Sequence, residues 1–595
     1  MVQLGLTFAN PFALFPVAWM SSWSLADWSV FRPAPDLLNW PVSASDLLTP
    51  QTILAGPDEF FLDKSLSVNS SLKRVSWGQV RTIDGSGNNL LRPAWGQAFT
   101  EQVRLFAPSY LDGVGLPRGS FFEIASPRVV SNALMASQAS TPKAEHSVLL
   151  MAWGQFVDHD LVLSAESHDF WPILVPTGDS YFDPTGTGQE IIPFARLAYA
   201  NGTGENGVAR ASVNTITPYL DASMVYGSSL EQSRTLRTLD GTGRLRWSTD
   251  TNGEVMLPVH PDLTTVAGDA RAHENPILSS LHSLFVAEHN RVADLLWDEF
   301  HGRNRTVRSL VRHARWRNGD VTTRADAVYE LARKVVGAQV QAITYGEFLP
   351  ELIGTDAISD YTGYKTYVNP AISEEFSNAA YRLGHSMVRD QIGVLAGDET
   401  LEYEPLMSNF FNPEMLTQEG KAAILGGAIA MEMNPVDLEI TSALRNMLFG
   451  ANLDLAAINI QRGRDAGLPT FAAAHEALGY GVVDEFADIT GVPATQQALA
   501  GVYVTPGEVD LWVGILAEDK VADSLLGEVG TAIIADQFTR TRDGDRFYYE
   551  NDPVVARLDS VLGLSLDTFR LEDVIEANTS LSVEDAFLAG SVEFV

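Results

Sequence analysis

Four polar residues set in a hydrophobic run, Gln155, Asp158, His159 and Asp160 within MAWGQFVDHDLVLS, are the part of this sequence best equipped for chemistry. An imidazole titrating near neutrality can take up and return a proton. The neighbouring carboxylates can tune it, hold a cation or react themselves, and an amide can orient a small polar molecule. On a helix, the four-residue spacing puts Gln155 and His159 on one face with Asp158 beside them. Val148, Leu149, Met151, Ala152 and Phe156 supply apolar contacts, and Thr141 with Pro142 reads as a cap and first helical position. An unpaired charge on a buried helix costs several kcal/mol, so Asp-His-Asp requires partners from elsewhere in the chain.

Four further stretches can provide them. In ITPYLDASMVYGSS, Thr217, Tyr219, Asp221 and Ser223 alternate, so an extended backbone would point all four to one side. Such a row of oxygens suits a hard cation such as calcium, although a strand edge at the surface is the plainer expectation. In AGDARAHENPILSSLHSLF, Asn275 and Pro276 predict the start of a long core helix with an apolar stripe through Ile277, Leu281, Leu284, Phe285 and Val292, and Arg271 and Glu274 stand just ahead of it. His282 and His289 on that helix are expected to be structural, with their nitrogens satisfied. A helix over Arg324 to Thr344 precedes YRLGHSMV, where His385 sits among apolar residues; a single histidine so placed is by default a core residue. AINIQRGRDAGLP carries Asn459, Arg462 and Arg464 ahead of a Gly-Leu-Pro stop.

The whole-chain properties narrow the reading. With no cysteine, thiolate catalysis, zinc-thiolate sites, iron-sulfur clusters and disulfides are excluded. A net charge of -35 argues against nucleic acid and anionic membranes as partners. The apolar run Phe12 to Met20 is broken by Pro16 and no Lys or Arg precedes Arg32, so no signal peptide is evident and no run reaches the length of a membrane span. Residues 1–75, rich in Pro, Trp and Ser, are expected to be an extension packing on a body formed by 76–578. The acidic end, 579–595, is expected to be a solvated tail.

Together, WGQFVDHD, TPYLDASMVYG, AGDARAHENP, YRLGH and NIQRGRDAGLP resemble, in order, the animal-type haem peroxidases, the peroxidase-cyclooxygenase superfamily. Weaker similarity runs from Val75 to Asn578. The resemblance implies a mainly α-helical fold with long loops and little β structure around a buried haem b. It implies His159 as distal base, Arg271 as distal arginine, Gln155 as distal amide, His385 as proximal iron ligand, and Asn459 as the acceptor for its ring. Arg382 and Arg462 would meet the haem propionates. Asp158 and Glu274 match the carboxylates that form ester bonds to haem, so covalent attachment is implied. Asp160 matches a calcium ligand, together with Thr217, the Tyr219 carbonyl, Asp221 and Ser223.

The resemblance therefore implies a peroxidase that reduces hydrogen peroxide and oxidises small anions (iodide, bromide, thiocyanate) or phenols, acting outside the cytoplasm. Departures refine this. Asn275 stands where myeloperoxidase has the methionine of its sulfonium link, which makes chloride oxidation less expected. Arg382 occupies the place of the cyclooxygenase radical tyrosine, and Tyr381, one residue off on a helix, would point elsewhere. Gly87 replaces a usual cysteine, as in a bacterial-type member without disulfides. Two alternatives stand beside the main reading: a fatty-acid dioxygenase or peroxygenase of the same superfamily, and a catalytically idle adhesion module.

Overall fold

Helix α1 (Val148–Leu161) is apolar on nearly every side and is buried accordingly, with Leu149, Leu150, Trp153, Phe156, Val157 and Leu161 all inaccessible to solvent. It begins later than the sequence suggests: Ser147, in extended conformation, precedes the first turn, and Thr141 and Pro142 lie outside the described residues. The computed structural model describes residues 74–121, 123–137, 144–260 and 263–594, which belong to a unit running from Leu54 to Val595. All but the last two residues of the expected N-terminal extension lie outside them.

Helix α2 (Pro276–His301) is the central rod, about 39 Å long at 1.5 Å per residue. Asn275 caps it as expected, its side-chain oxygen accepting from the Leu278 N–H at 2.9 Å. Helix α3 (Arg305–Arg317) turns back along its C-terminal half and buries Val307, Leu310, Val311 and Ala314 in a separate small core with α2 and helix α4 (Arg324–Ile343). A short helix α5 (Gly384–Met387), helix α6 (Lys421–Ala430) and helix α7 (Leu455–Asp465) complete the surroundings of α1, with α5 and α6 both packed directly against it. The predominantly helical class is as expected. Among the described residues, the strands form only two-stranded antiparallel pairs, the longest joining β1 (Gln391–Leu395) to β2 (Leu401–Pro405), with isolated bridges elsewhere.

Two expectations need correction. The row Thr217 to Ser223 is not a strand: pairing stops at Asn214, Ala222 adopts a left-handed φ of 61°, and Ser223–Tyr226 forms a helical turn. The C-terminal segment is not a solvated tail either. Strands β3 (Leu581–Val583) and β4 (Val592–Phe594) pair, and Ala586 and Phe587 between them are buried. The Ser147 hydroxyl donates to the Ala586 carbonyl at 2.7 Å, and the Ser147 N–H donates to that of Phe587 at 2.8 Å. Glu584 and Glu593 are exposed while Ala586 and Phe587 dock on the start of α1, a pattern that a count of charges hides.

Candidate active site

His159 lies near the C-terminus of α1, with its side chain almost wholly buried. Burial, and then the neighbouring Arg271 guanidinium, hold its pKa well below the ordinary histidine value, so the ring is neutral at physiological pH and able to accept a proton. Its Nδ1 has no hydrogen-bond partner and points toward Asp269, 3.8 Å away. Asp269 in turn grips Arg271. Nε and Nη2 of the guanidinium donate to the two carboxylate oxygens at 2.9 and 2.8 Å, and the Arg271 N–H donates to the same group. A further bond from Nη2 to the Val162 carbonyl ties the guanidinium to the end of α1. Nη1 is left facing Asp158 at 3.6 Å. Arg271 is thus a fixed positive charge, its orientation set before any ligand arrives.

Gln155 is held from both ends of its amide: its nitrogen donates to Glu274 at 3.0 Å and its oxygen accepts from Asn275 at 2.9 Å. Burial raises Asp158 to about 6 and Glu274 to about 7, in both cases against the stabilising pull of Arg271. Carboxyl groups so poised are partly protonated near neutrality.

The second cluster centres on His385. Asn459 on α7 places its Nδ2 2.7 Å from His385 Nδ1, while its Oδ1 accepts from Arg382 Nη1 at 2.9 Å. Arginine only donates, so Arg382 orients the amide with its nitrogen toward the ring, the reverse of the acceptor role expected for Asn459. A neutral ring whose Nδ1 accepts carries its proton on Nε2, so binding a metal through Nε2 requires the Asn459 amide to turn over and present its oxygen to Nδ1–H. Desolvation lowers the His385 pKa to about 3, which keeps the ring neutral. Arg382 also donates to the Ser377 carbonyl at 2.9 Å but forms no ion pair with the described residues. Burial and the repulsion of Arg462 bring its pKa down to about 10. Arg462, expected beside Arg382 to meet the haem carboxylates, contacts Glu166 at 2.7 Å and the Ala195 carbonyl at 2.8 Å. Tyr381 is not on an α-helix: Ala379 (φ -141°, ψ -78°) breaks the chain, and a 3-10 turn over Ala380–Leu383 follows. The Tyr381 ring stacks on Phe376 at 4.6 Å and its buried hydroxyl has no partner.

Asp158, Arg271, Glu274, Arg382 and His385 all pay a dominant desolvation cost, yet none is close-packed; the Asp158 and Arg271 side chains keep 33% and 23% of their accessible surface. Deep groups that retain accessible surface line an internal space. Two histidines, one with its outer nitrogen engaged, and an arginine lacking a counter-ion are a donor set that fits an iron porphyrin bearing carboxylates.

Beside this space, Asp160 is fully buried and accepts from the Ala222 and Ser223 N–H groups and, at 2.7 Å, from the Ser223 hydroxyl. The Thr217 hydroxyl donates to Asp221 at 2.9 Å, and the buried Tyr219 hydroxyl donates to the Trp95 carbonyl at 3.2 Å. Burial and the charge of Asp221 push Asp160 well above the usual carboxylate range, the signature of two acids that share a site. Among the described residues no three or more His, Asp or Glu side chains form a group that could hold a metal ion. A cation here would rest on two carboxylates, hydroxyls and backbone carbonyls.

Asp269 is the functional residue that sequence reasoning missed, although it lies in the motif quoted for Arg271, two residues ahead of it. His289 is satisfied as expected, its nitrogens 2.9 Å from the Tyr226 hydroxyl and 3.1 Å from the Gly243 carbonyl. His282 is not: its Nε2 is buried without a partner, and its ring stands edge-on to Phe156.

A family model described as animal haem peroxidase matches residues 80–586. Peroxinectin A of Dictyostelium discoideum is 31% identical over 530 residues, 84% of this chain and 94% of that protein. Thyroid peroxidase of Sus scrofa is 32% identical over 553 residues, 80% of this chain but only 57% of that protein. Among solved structures, peroxidase A from Dictyostelium discoideum superposes with a TM-score of 0.76 at 30% identity, over 86% of this chain and 99% of that one. A fatty acid alpha-dioxygenase of Arabidopsis thaliana reaches 0.71 at 20% identity over 91% and 85% of the two chains, a likeness of fold alone.

Proposed function

The chain belongs to the animal haem peroxidase family, haem enzymes that use hydrogen peroxide as acceptor, and on that premise we propose a role for each residue of the site. His385 would bind the iron, Arg382 a haem carboxylate, and Asp158 and Glu274 the haem periphery through ester bonds. When bound, the haem supplies the redox centre that splits the peroxide and accepts electrons from the donor. His159 takes the proton from one peroxide oxygen and returns it to the other, which departs as water. With Nδ1 turned toward Asp269, Nε2 is the nitrogen that carries this proton. Arg271, held rigid by Asp269, stabilises the negative charge that grows on the departing oxygen. Gln155, clamped by Glu274 and Asn275, orients water or a small anion.

The observation that carries this reading is the neutral, desolvated His159 beside a guanidinium immobilised by a buried carboxylate. We assign the donors as iodide, bromide, thiocyanate and phenols. Asn275 supports this choice, being committed to capping α2 and holding Gln155 where a sulfonium link would otherwise form. A calcium ion at Asp160, Thr217, Tyr219, Asp221 and Ser223 would tie the distal helix to the chain after Asn214, and the protein would work outside the cytoplasm. No helix among the described residues is long and apolar enough to cross a membrane.

The test is an optical spectrum of the purified protein, then rapid mixing with peroxide and with iodide, bromide or a phenol. His159→Ala should keep the haem pigment and lose rapid peroxide cleavage; undiminished turnover would refute its assignment. Tyr381, with its buried, unpartnered hydroxyl, favours one second reading, fatty-acid oxygenation. Oxygen uptake on adding a long-chain fatty acid, abolished in Tyr381→Phe, would support that reading.

A further inference from the structure

Helix α3 and its approach carry Arg303, Arg305, Arg308, Arg312, Arg315 and Arg317, with no acidic residue between Gly302 and Gly319, in a chain whose net charge is -35. All six are exposed, and none forms an ion pair with the described residues. Two make backbone contacts, Arg308 to the Phe300 carbonyl and Arg315 to that of Thr322. Arg305, Arg308, Arg312 and Arg315 follow one another at three- and four-residue steps, so they form a row about 15 Å long on the face opposite Val307, Leu310, Val311 and Ala314. At the end of the row Trp316 is 75% exposed and borders an open groove of about 430 Å³, whose lining among the described residues includes Arg74, Ser76 and Arg317 and no carboxylate.

Unpaired cations concentrated on an otherwise acidic protein repel one another, and a polyanion would relieve that repulsion. At about 0.1 M salt the Debye length is about 10 Å, so acids remote from the row are screened while arginines in contact with a ligand are not. A broad anionic surface, a bilayer or a duplex, would also press against the acidic surroundings, including Asp298 and Asp320 at the two ends of the helix. A narrow, flexible chain can follow the row alone. The indole beside arginines, with a hydroxyl nearby, offers a face for a sugar ring and donors for its acidic group. We propose that α3 and the Trp316 groove form a binding site for an acidic polysaccharide, with carboxylate or sulfate groups along the arginine row and a sugar ring against Trp316.

The test uses the full-length haem protein and two probes, polygalacturonate for carboxylate and heparin for sulfate, with binding measured by calorimetry across a salt series. At 0.1 M salt at least one probe should bind at micromolar level, weakening steeply as salt rises. Arg305→Gln/Arg312→Gln/Arg317→Gln should weaken it tenfold or more at unchanged peroxidase turnover, and Trp316→Ala should weaken the saccharides while leaving linear polyphosphate unaffected. Failure of both probes to bind, binding unchanged in the triple variant, or equal affinity for duplex DNA or phosphatidylserine vesicles would overturn the proposal.

Discussion

Asp269→Asn isolates the contribution of the buried carboxylate to the chemistry. In the parent, two guanidinium donors and one backbone N–H converge on Asp269, and the carboxylate is the closest negative charge to His159. An asparagine presents one oxygen and one NH2, so one arginine donor meets another donor, and the guanidinium is released toward Asp158, 3.6 Å away. Loss of one hydrogen bond to a charged group is worth about 1.5–3 kcal/mol, which in rate amounts to about ten- to 150-fold. With Asp158 left as its nearest counter-charge, the guanidinium should also lower folding stability, by less than the roughly 3–5 kcal/mol of a fully unpaired buried charge. Stopped-flow mixing with peroxide at pH 7 reads the first quantity and denaturant unfolding the second. A rate within twofold of the parent together with an unchanged unfolding midpoint would refute the claim that Asp269 holds Arg271 in its working orientation.

Three further outcomes are expected. After peroxide treatment the parent should retain its haem in acidified butanone, and Asp158→Asn/Glu274→Gln should release it; release from the parent would rule out ester bonds. Chelation of calcium should lower the thermal midpoint and shift the Soret band, since Asp160 and Asp221 then face each other without a counter-ion; identical melts and spectra would remove calcium from the account. Burial holds His282 at about 4 and His289 at about 3, against 6.5 for the unfolded chain. Between these values the unfolded state binds protons that the folded state refuses. Their contribution is therefore present above pH 6.5 and is lost as pH falls, by about 3 kcal/mol for His282 alone at pH 4. His282→Phe should flatten the acid limb of the stability curve, and an unchanged limb would contradict the buried-neutral assignment.

The sequence by itself determined the helical class, the start of α2 at Asn275 and Pro276, and which stretches carry reactive groups, because capping, periodicity and motif order are local properties. It could not show where those groups aim. The oxygen row from Thr217 to Ser223 looked like a strand because its alternation is regular, yet a left-handed Ala222 and the pull of Asp160 on the Ala222 and Ser223 N–H groups bend it. The acidic C-terminus looked solvated because charge counts ignore which residues face inward; the carbonyls of Ala586 and Phe587, paired with Ser147, decide its position. Asn459 was legible as the neighbour of His385, but its orientation depends on Arg382, seventy-seven residues away and able only to donate. Asp269 and Arg271 lie two residues apart, and only in the folded chain does the buried pair reach His159. Tertiary structure decides these matters because hydrogen bonds and ion pairs depend on distances between atoms that the order of residues leaves open.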